Sequence, residues 1–121
     1  MPKTILVIDD DPGIREFLKD HLEAQGYAVR TAEDGVSGVQ AALGAPPDIV
    51  ITDFQMPAGE GDTVFRRLRT NSKTEKTPIV FVTGMPEGDL KKKLPFVPPN
   101  SALLRKPLDL AELDATLGKL L

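Results

Sequence analysis

The sequence predicts an α/β fold: a five-stranded, doubly wound parallel sheet in the order 2-1-3-4-5. Three observations predict it. Short apolar runs alternate five times with segments of helical period, the pattern of a parallel sheet with helices on both faces. Four of the runs are continuously apolar, as strands buried on both faces are. The remaining run, "AVRTA" at 28–32, is only half apolar; it belongs at an edge, and the 2-1-3-4-5 order puts it there.

Each element has its own signal. "TILVI" (4–8) is the first strand. Asp11 is a natural N-cap and Pro12 a natural first helical residue. Ile14, Phe17, Leu18 and Leu22 then recur at helical spacing, and Gly26 is a stop. After the edge strand, residues 34–44 carry Val36, Val39, Ala42 and Leu43 on one helix side, weakened by Gly38. Pro46-Pro47 leads into "DIVIT" (48–52). A helix over 61–70 packs through Val64, Phe65 and Leu68. Pro78 opens "IVFV" (79–82), a short helical piece lies near 87–94, and "SALLR" (101–105) is the fifth strand. Asp109 starts the last helix, with Glu112 as capping-box partner and Leu110, Leu113, Leu117, Leu120 and Leu121 as its apolar stripe.

Composition narrows the function. The 121 residues, 40% apolar and 27% charged, suit one domain over 1–121 with one core. Cysteine is absent, which removes disulfides and thiolate metal sites and fits a reducing, cytoplasmic setting. Fifteen basic against 18 acidic residues give a net charge of −3, which argues against a nucleic-acid surface. Lys91-Lys92-Lys93 reads as a solvated helix face. The run Ile5–Ile8 is too short for a signal peptide, and no window approaches a membrane span.

The residues after the strands carry the chemistry. The first strand ends in Asp9-Asp10, the third in Asp53, the fourth in Thr83 and the fifth in Arg105-Lys106-Pro107. In open sheets of this kind, ligands bind beyond the carboxyl ends of the strands. Three carboxylates there repel, by roughly 4 kcal/mol per pair at about 4 Å and an effective dielectric near 20. Lys106 offsets one charge. The rest points to a hard divalent cation, and an all-oxygen site that handles phosphate suits Mg²⁺. A carboxylate held against a metal and a lysine can attack phosphorus, and the same groups can then hold the phosphoryl oxygens. Thr83 offers a hydroxyl for another of them. Singly, each residue has an ordinary reading: Asp11 caps a helix, Thr83 sits in a turn, Lys106 is a surface lysine. Their convergence from separate strand ends is the specific signal.

On these residues the chain resembles the receiver domain of two-component response regulators. "ILVIDDDP" resembles the family's acidic opening, "ITDFQMPAGEG" its phospho-acceptor loop, "FVTG" its threonine turn and "LRKPLD" its Lys-Pro turn, in order and over essentially the whole chain. The resemblance implies a flavodoxin-like receiver fold. It implies that Asp53 accepts a phosphoryl group from a phosphohistidine on a sensor histidine kinase or histidine phosphotransfer protein. It implies that Asp9, Asp10, Asp53 and the Gln55 backbone carbonyl hold Mg²⁺, that Thr83 and Lys106 contact the phosphoryl oxygens, and that Met56-Pro57 shapes the metal loop. Such a domain promotes its own phosphorylation and dephosphorylation without being a conventional enzyme, and it switches an output partner or attached domain.

Two departures bear on output. Leu103 stands where the family commonly has a strand-five aromatic that follows the threonine inward, so the switch positions are Thr83 and Leu103. Pro86, Pro95, Pro98 and Pro99 crowd the segment before Lys106, which predicts a short or distorted fourth helix and an extended loop. Other classes fit less well. A haloacid-dehalogenase phosphatase wants a second Asp where Gln55 stands. A flavodoxin-type carrier wants a Ser/Thr/Gly-rich phosphate loop where "DDDPG" stands. An unphosphorylated interaction module on a receiver scaffold is the alternative, against which the intact acidic site and lysine argue. His21 reads as a surface or boundary histidine.

Overall fold

The continuous apolar runs form the strands at the centre of the sheet. The computed structural model describes residues 2–55, 61–93 and 97–121, for Asp62 and Lys93 the backbone only. Met56-Pro57 and Pro95 of the sequence reading lie outside the described residues. In chain order the elements are β1 (Thr4–Ile8), α1 (Pro12–Ala24), β2 (Ala28–Ala32), α2 (Gly35–Gly44), β3 (Ile49–Asp53), α3 (Gly61–Arg69), β4 (Ile79–Thr83), α4 (Glu87–Lys93), β5 (Ser101–Arg105) and α5 (Leu110–Leu120). All strand pairs are parallel, and the sheet order is β2-β1-β3-β4-β5. Every residue of β3 and β4 is buried, whereas β2 and β5 are partly exposed, as edge strands are.

The two-residue period of each strand divides the core. Ile5, Val7, Ile51 and Val82 face Leu18 and Leu22 of α1 and Leu113 and Leu117 of α5. Leu6, Ile8, Val50 and Phe81 face the other way, toward Val39 of α2, Val64 and Leu68 of α3 and Leu90 of α4. Asp11 caps α1 by accepting from the Gly13 amide at 2.8 Å, and Asp109 caps α5 by accepting from the Ala111 amide at 2.9 Å. Asp48 fixes the β1–β3 register: its carboxylate accepts from the Thr4 amide at 2.7 Å, and that bond holds its pKa below the usual range.

Three helix expectations are corrected. Phe17 is 56% exposed and Val36 44% exposed, although both recur at helical spacing with core residues. The strip each helix buries is narrower than its apolar side, and Leu18, Leu22, Val39 and Ala42 fill it. Leu121 likewise remains exposed at the end of the α5 stripe. Gly38 is more than a weakness in α2: a Cβ there would come within 2.8 Å of Ile8 Cγ1, so its absence lets α2 lie close on β1. The short α4 is borne out, with seven residues of which Leu90 is buried among the described side chains. At the opposite end of the sheet from the strand termini, Arg69 donates to the carbonyls of Thr77 at 2.6 Å and Asn100 at 3.2 Å.

Candidate functional site

Parallel strands in near-common register end at one level, so the residues that follow them share one rim. Asp9 follows β1, and Asp53 ends β3. Lys106 follows β5, and its amide donates to the Thr83 carbonyl at 2.8 Å. One carboxylate oxygen from each of Asp9, Asp10 and Asp53 lies within 4.8 Å of the other two. Lys106 Nζ donates to Asp53 Oδ2 at 3.1 Å and lies 3.8 Å from Asp9 Oδ2. The other Asp53 oxygen, Oδ1, accepts from the Gln55 amide at 3.1 Å. Asp9 and Asp53 are buried and Asp10 is exposed, so the cluster has two inner carboxylates and one at the mouth.

Its electrostatics follow. Burial pushes the Asp9 carboxyl up from its ordinary value. The Asp11 amide and Lys106 pull it back, while the charges of Asp53 and Asp10 add to the rise. A buried carboxylate beside two others suits a hard cation that would offset their charge, and the all-oxygen donors fit Mg²⁺. Thr83 is fully buried on the neighbouring strand end, and its Oγ1 accepts from the Met85 amide at 2.9 Å.

A family model described as the response regulator receiver domain matches residues 5–117. The chain belongs to that family. It is 36% identical over 122 residues to the DNA-binding dual master transcriptional regulator RpaA of Synechocystis, covering 100% of this chain and 49% of that protein. It is 33% identical to the sensor histidine kinase TmoS of Ectopseudomonas mendocina, covering 97% of this chain and 12% of the kinase. The receiver thus spans half or less of the length of these curated relatives. Among solved structures, the chemotaxis protein CheY4 of Vibrio cholerae superposes with a TM-score of 0.88 at 30% identity, covering 100% of both chains. The receiver domain of sensor histidine kinase PA1611 from Pseudomonas aeruginosa superposes with a TM-score of 0.87 at 26% identity, over 98% of this chain and 97% of that one; it was solved with a magnesium ion coordinated in the active site cleft. The fold is therefore the flavodoxin-like receiver fold, and its setting is phosphorylation-dependent signalling.

Within this receiver, the structure brings Asp9, Asp10, Asp53 and Lys106 together directly. Thr83 reaches the same rim, with its hydroxyl engaged by its own turn. Leu103 is half-buried on β5 opposite Phe81 in register, packed against the α2–α3–α4 side of the core. His21 sits at the boundary, as its sequence position suggests, with Nε2 3.0 Å from Asp114 Oδ1 of α5.

Three features of the rim escape a reading of strand ends. Asp9 Oδ1 accepts from the Asp11 amide at 2.9 Å, so the helix cap also orients a cluster carboxylate. The Arg15 guanidinium donates to the Asp9 carbonyl at 2.6 Å. An apolar cleft of about 210 Å³ opens beside Asp53, bordered by Ile14 and Phe17 of α1 and by Pro107 and Leu108. The helical period marks Phe17 as part of the apolar side of α1, and the structure puts it at this cleft.

Proposed function

We propose that Asp53 is the phospho-acceptor of this receiver and that a phosphohistidine on a sensor histidine kinase or histidine phosphotransfer protein is its donor. The observation that carries this reading is the Lys106 ammonium on Asp53 Oδ2, beside the clustered carboxylates of Asp9 and Asp10. Among the described contacts Asp53 accepts a hydrogen bond on each oxygen, from the Gln55 amide and from Lys106, whereas Asp9 accepts one from the Asp11 amide and has Lys106 only at 3.8 Å. An Asp53 oxygen attacks phosphorus, the phosphorus–nitrogen bond breaks, and the imidazole nitrogen keeps the electron pair. Lys106 then follows the charge from carboxylate to phosphoryl oxygen. The Thr83 hydroxyl leaves the Met85 amide to donate to a second phosphoryl oxygen. Asp9, Asp10, Asp53 and the Gln55 carbonyl are the groups that would hold Mg²⁺. When bound, the ion supplies positive charge that offsets the carboxylates and the developing charge on the phosphoryl group.

The exposed Phe17 and the cleft beside it give a donor protein an apolar footing next to Asp53. The change in the Thr83 turn biases the output partner or attached domain. No helix among the described residues is long and apolar enough to cross a membrane, and we assign the protein to the cytoplasm, where kinase and donor phosphate meet.

Acetyl phosphate replaces the unknown donor in the test. With Mg²⁺, intact-mass measurement should find one phosphoryl adduct per chain. Asp53→Asn, or wild type in EDTA, should show little or none. An equal adduct in Asp53→Asn would sink the assignment. No adduct on the wild type, and no binding of beryllofluoride, would favour the unphosphorylated interaction module.

A further inference from the structure

Arg15 takes no part in the phosphoryl chemistry above, yet its guanidinium reaches back from the first turns of α1 to the rim of the site. We infer that Arg15 is a positioning residue for the metal-binding pair Asp9–Asp10, holding the backbone between them by its bond to the Asp9 carbonyl. This rests on the Mg²⁺ assignment made above.

Asp9 lies just past the last residue of β1, where the sheet no longer fixes the chain on both sides. Its amide is held by the Ala32 carbonyl at 3.1 Å. Its side chain is held by the Asp11 amide at 2.9 Å. Its carbonyl, the group that leads into Asp10, is held by Arg15 Nη1 at 2.6 Å. The next link is on the helix itself, where the Arg15 amide donates to the Asp11 carbonyl at 3.1 Å. The turn 9–15 is therefore closed on itself: Asp11 caps the helix and orients Asp9, and Arg15 returns from that helix to clamp Asp9.

The bond is charge-assisted and short, the stronger kind of hydrogen bond. A backbone carbonyl at a partly buried site needs a partner, and an ordinary arginine could satisfy it with no consequence for metal binding. The consequence arises because rotation of the Asp9–Asp10 peptide moves the Asp10 carboxylate relative to those of Asp9 and Asp53. Three oxygens from three residues must converge on one ion, and a loop free to rotate lowers the fraction of time that they do. Groups that orient metal ligands without touching the metal commonly govern affinity by about ten- to a hundredfold.

The effect is one of position rather than charge. A nearby cation weakens binding of another cation, so loss of the Arg15 charge alone would tighten it. The groups that shift the Asp9 carboxyl are burial, the Asp11 amide, Asp53, Lys106 and Asp10; Arg15 is not among them. Its guanidinium is engaged by the Asp9 carbonyl, and Arg15 also borders a polar cleft with Thr31, Glu33 and Ser37. Loss of the clamp therefore outweighs loss of the charge.

The test is calorimetric titration of metal-free wild type, Arg15→Met and Arg15→Gln with Mg²⁺ at fixed pH and ionic strength. Melting in EDTA is recorded alongside. Arg15→Met keeps the apolar stem, and Arg15→Gln keeps a donor on a stem too short to reach. The expected result is Mg²⁺ binding weakened by about tenfold in both, with a smaller Mg²⁺-induced rise in melting temperature than in the wild type. A side chain that only braced α1 would lower melting in EDTA and leave the Mg²⁺ affinity unchanged, and that result overturns the inference. Should one variant fail to melt cooperatively, the affinity of the other decides. Absence of Mg²⁺ binding by the wild type would instead overturn the metal assignment, and this inference with it.

Discussion

At the residue scale, the site is defined by how little positive charge it holds against three carboxylates. Lys106 is the one ammonium in contact with them among the described residues. Without metal, removing one carboxylate charge should therefore stabilise the protein. Asp10 is the exposed member, so screening reduces its share of the repulsion to about 1 kcal/mol. Asp10→Asn should melt higher than wild type in EDTA and lower than wild type in saturating Mg²⁺, where only the wild type gains fully from binding. A lower midpoint for the mutant in EDTA would contradict the electrostatic account. Asp9 gives a pH test of the same strain. Its folded pKa is raised, chiefly by burial, so the folded state holds that proton more tightly than the unfolded state does. The stability it confers is present at acid pH and lost as pH rises through the folded value. In EDTA, Asp9→Asn should remove that loss, so the stability difference between mutant and wild type should grow in the mutant's favour from acid to neutral pH. A difference independent of pH would show that Asp9 is not under strain. The convergence of these residues was legible in the sequence because each stands at the end of an apolar run. The role of Arg15 was not, since a bond to a backbone carbonyl leaves no mark in residue type or spacing.

At the element scale, strands and helices followed from period and caps, and the exceptions have physical causes. Five apolar runs of strand length, each followed by a cap residue or turn, left little freedom in the order of elements. Edge placement of "AVRTA" followed from its polarity, and β5 completes the other edge with partly exposed residues. Period alone does not say where the buried strip of each helix ends: Phe17 and Val36 share the apolar side of their helices but lie outside that strip. Nor could it separate a glycine that merely weakens a helix from one that a neighbour requires. Gly38 and Gly118 make that distinction measurable. Alanine gains about 1 kcal/mol of helix propensity over glycine. At Gly38 the new Cβ meets Ile8, and overpacking costs about 1–3 kcal/mol, so Gly38→Ala should be destabilising by about 1 kcal/mol. At Gly118 nothing lies within 4 Å of the new atom, so Gly118→Ala should stabilise by about 0.5–1 kcal/mol. Chemical denaturation of both decides the matter. A stabilised Gly38→Ala would mean that α2 does not lie so close on β1.

At the scale of the whole molecule, the question is how phosphorylation at Asp53, the acceptor proposed above, would reach a partner. Signalling needs an element with two arrangements that the phosphoryl group biases. A strand-five aromatic is absent. Leu103 is smaller, cannot donate a hydrogen bond and is already packed on the core beside Phe81. The Thr83 hydroxyl and the Met85 amide couple the rim to the chain that enters α4. That helix is short, with Leu90 its buried side chain among those described, and its Lys91–Glu87 pair at 3.7 Å is exposed and contributes little. Beyond it, Asn100 is tied to the Lys76 carbonyl at 2.6 Å and to Arg69. With few anchors among its described residues and two fixed ends, this segment is the natural element to shift. Hydrogen exchange with and without beryllofluoride should therefore show its largest change outside the acidic pocket between Met85 and Ala102. A change centred on α1, with that stretch indifferent, would redirect the output route without touching the chemistry. The chemistry itself is tested most directly by mapping the modified residue. The protein is phosphorylated with acetyl phosphate and Mg²⁺, the acyl phosphate is reduced with borohydride, and the product is sequenced by peptide mass spectrometry. The account predicts homoserine at position 53 and nowhere else, and none when Mg²⁺ is chelated; homoserine at position 9 or 10, or equal yield in EDTA, would contradict it.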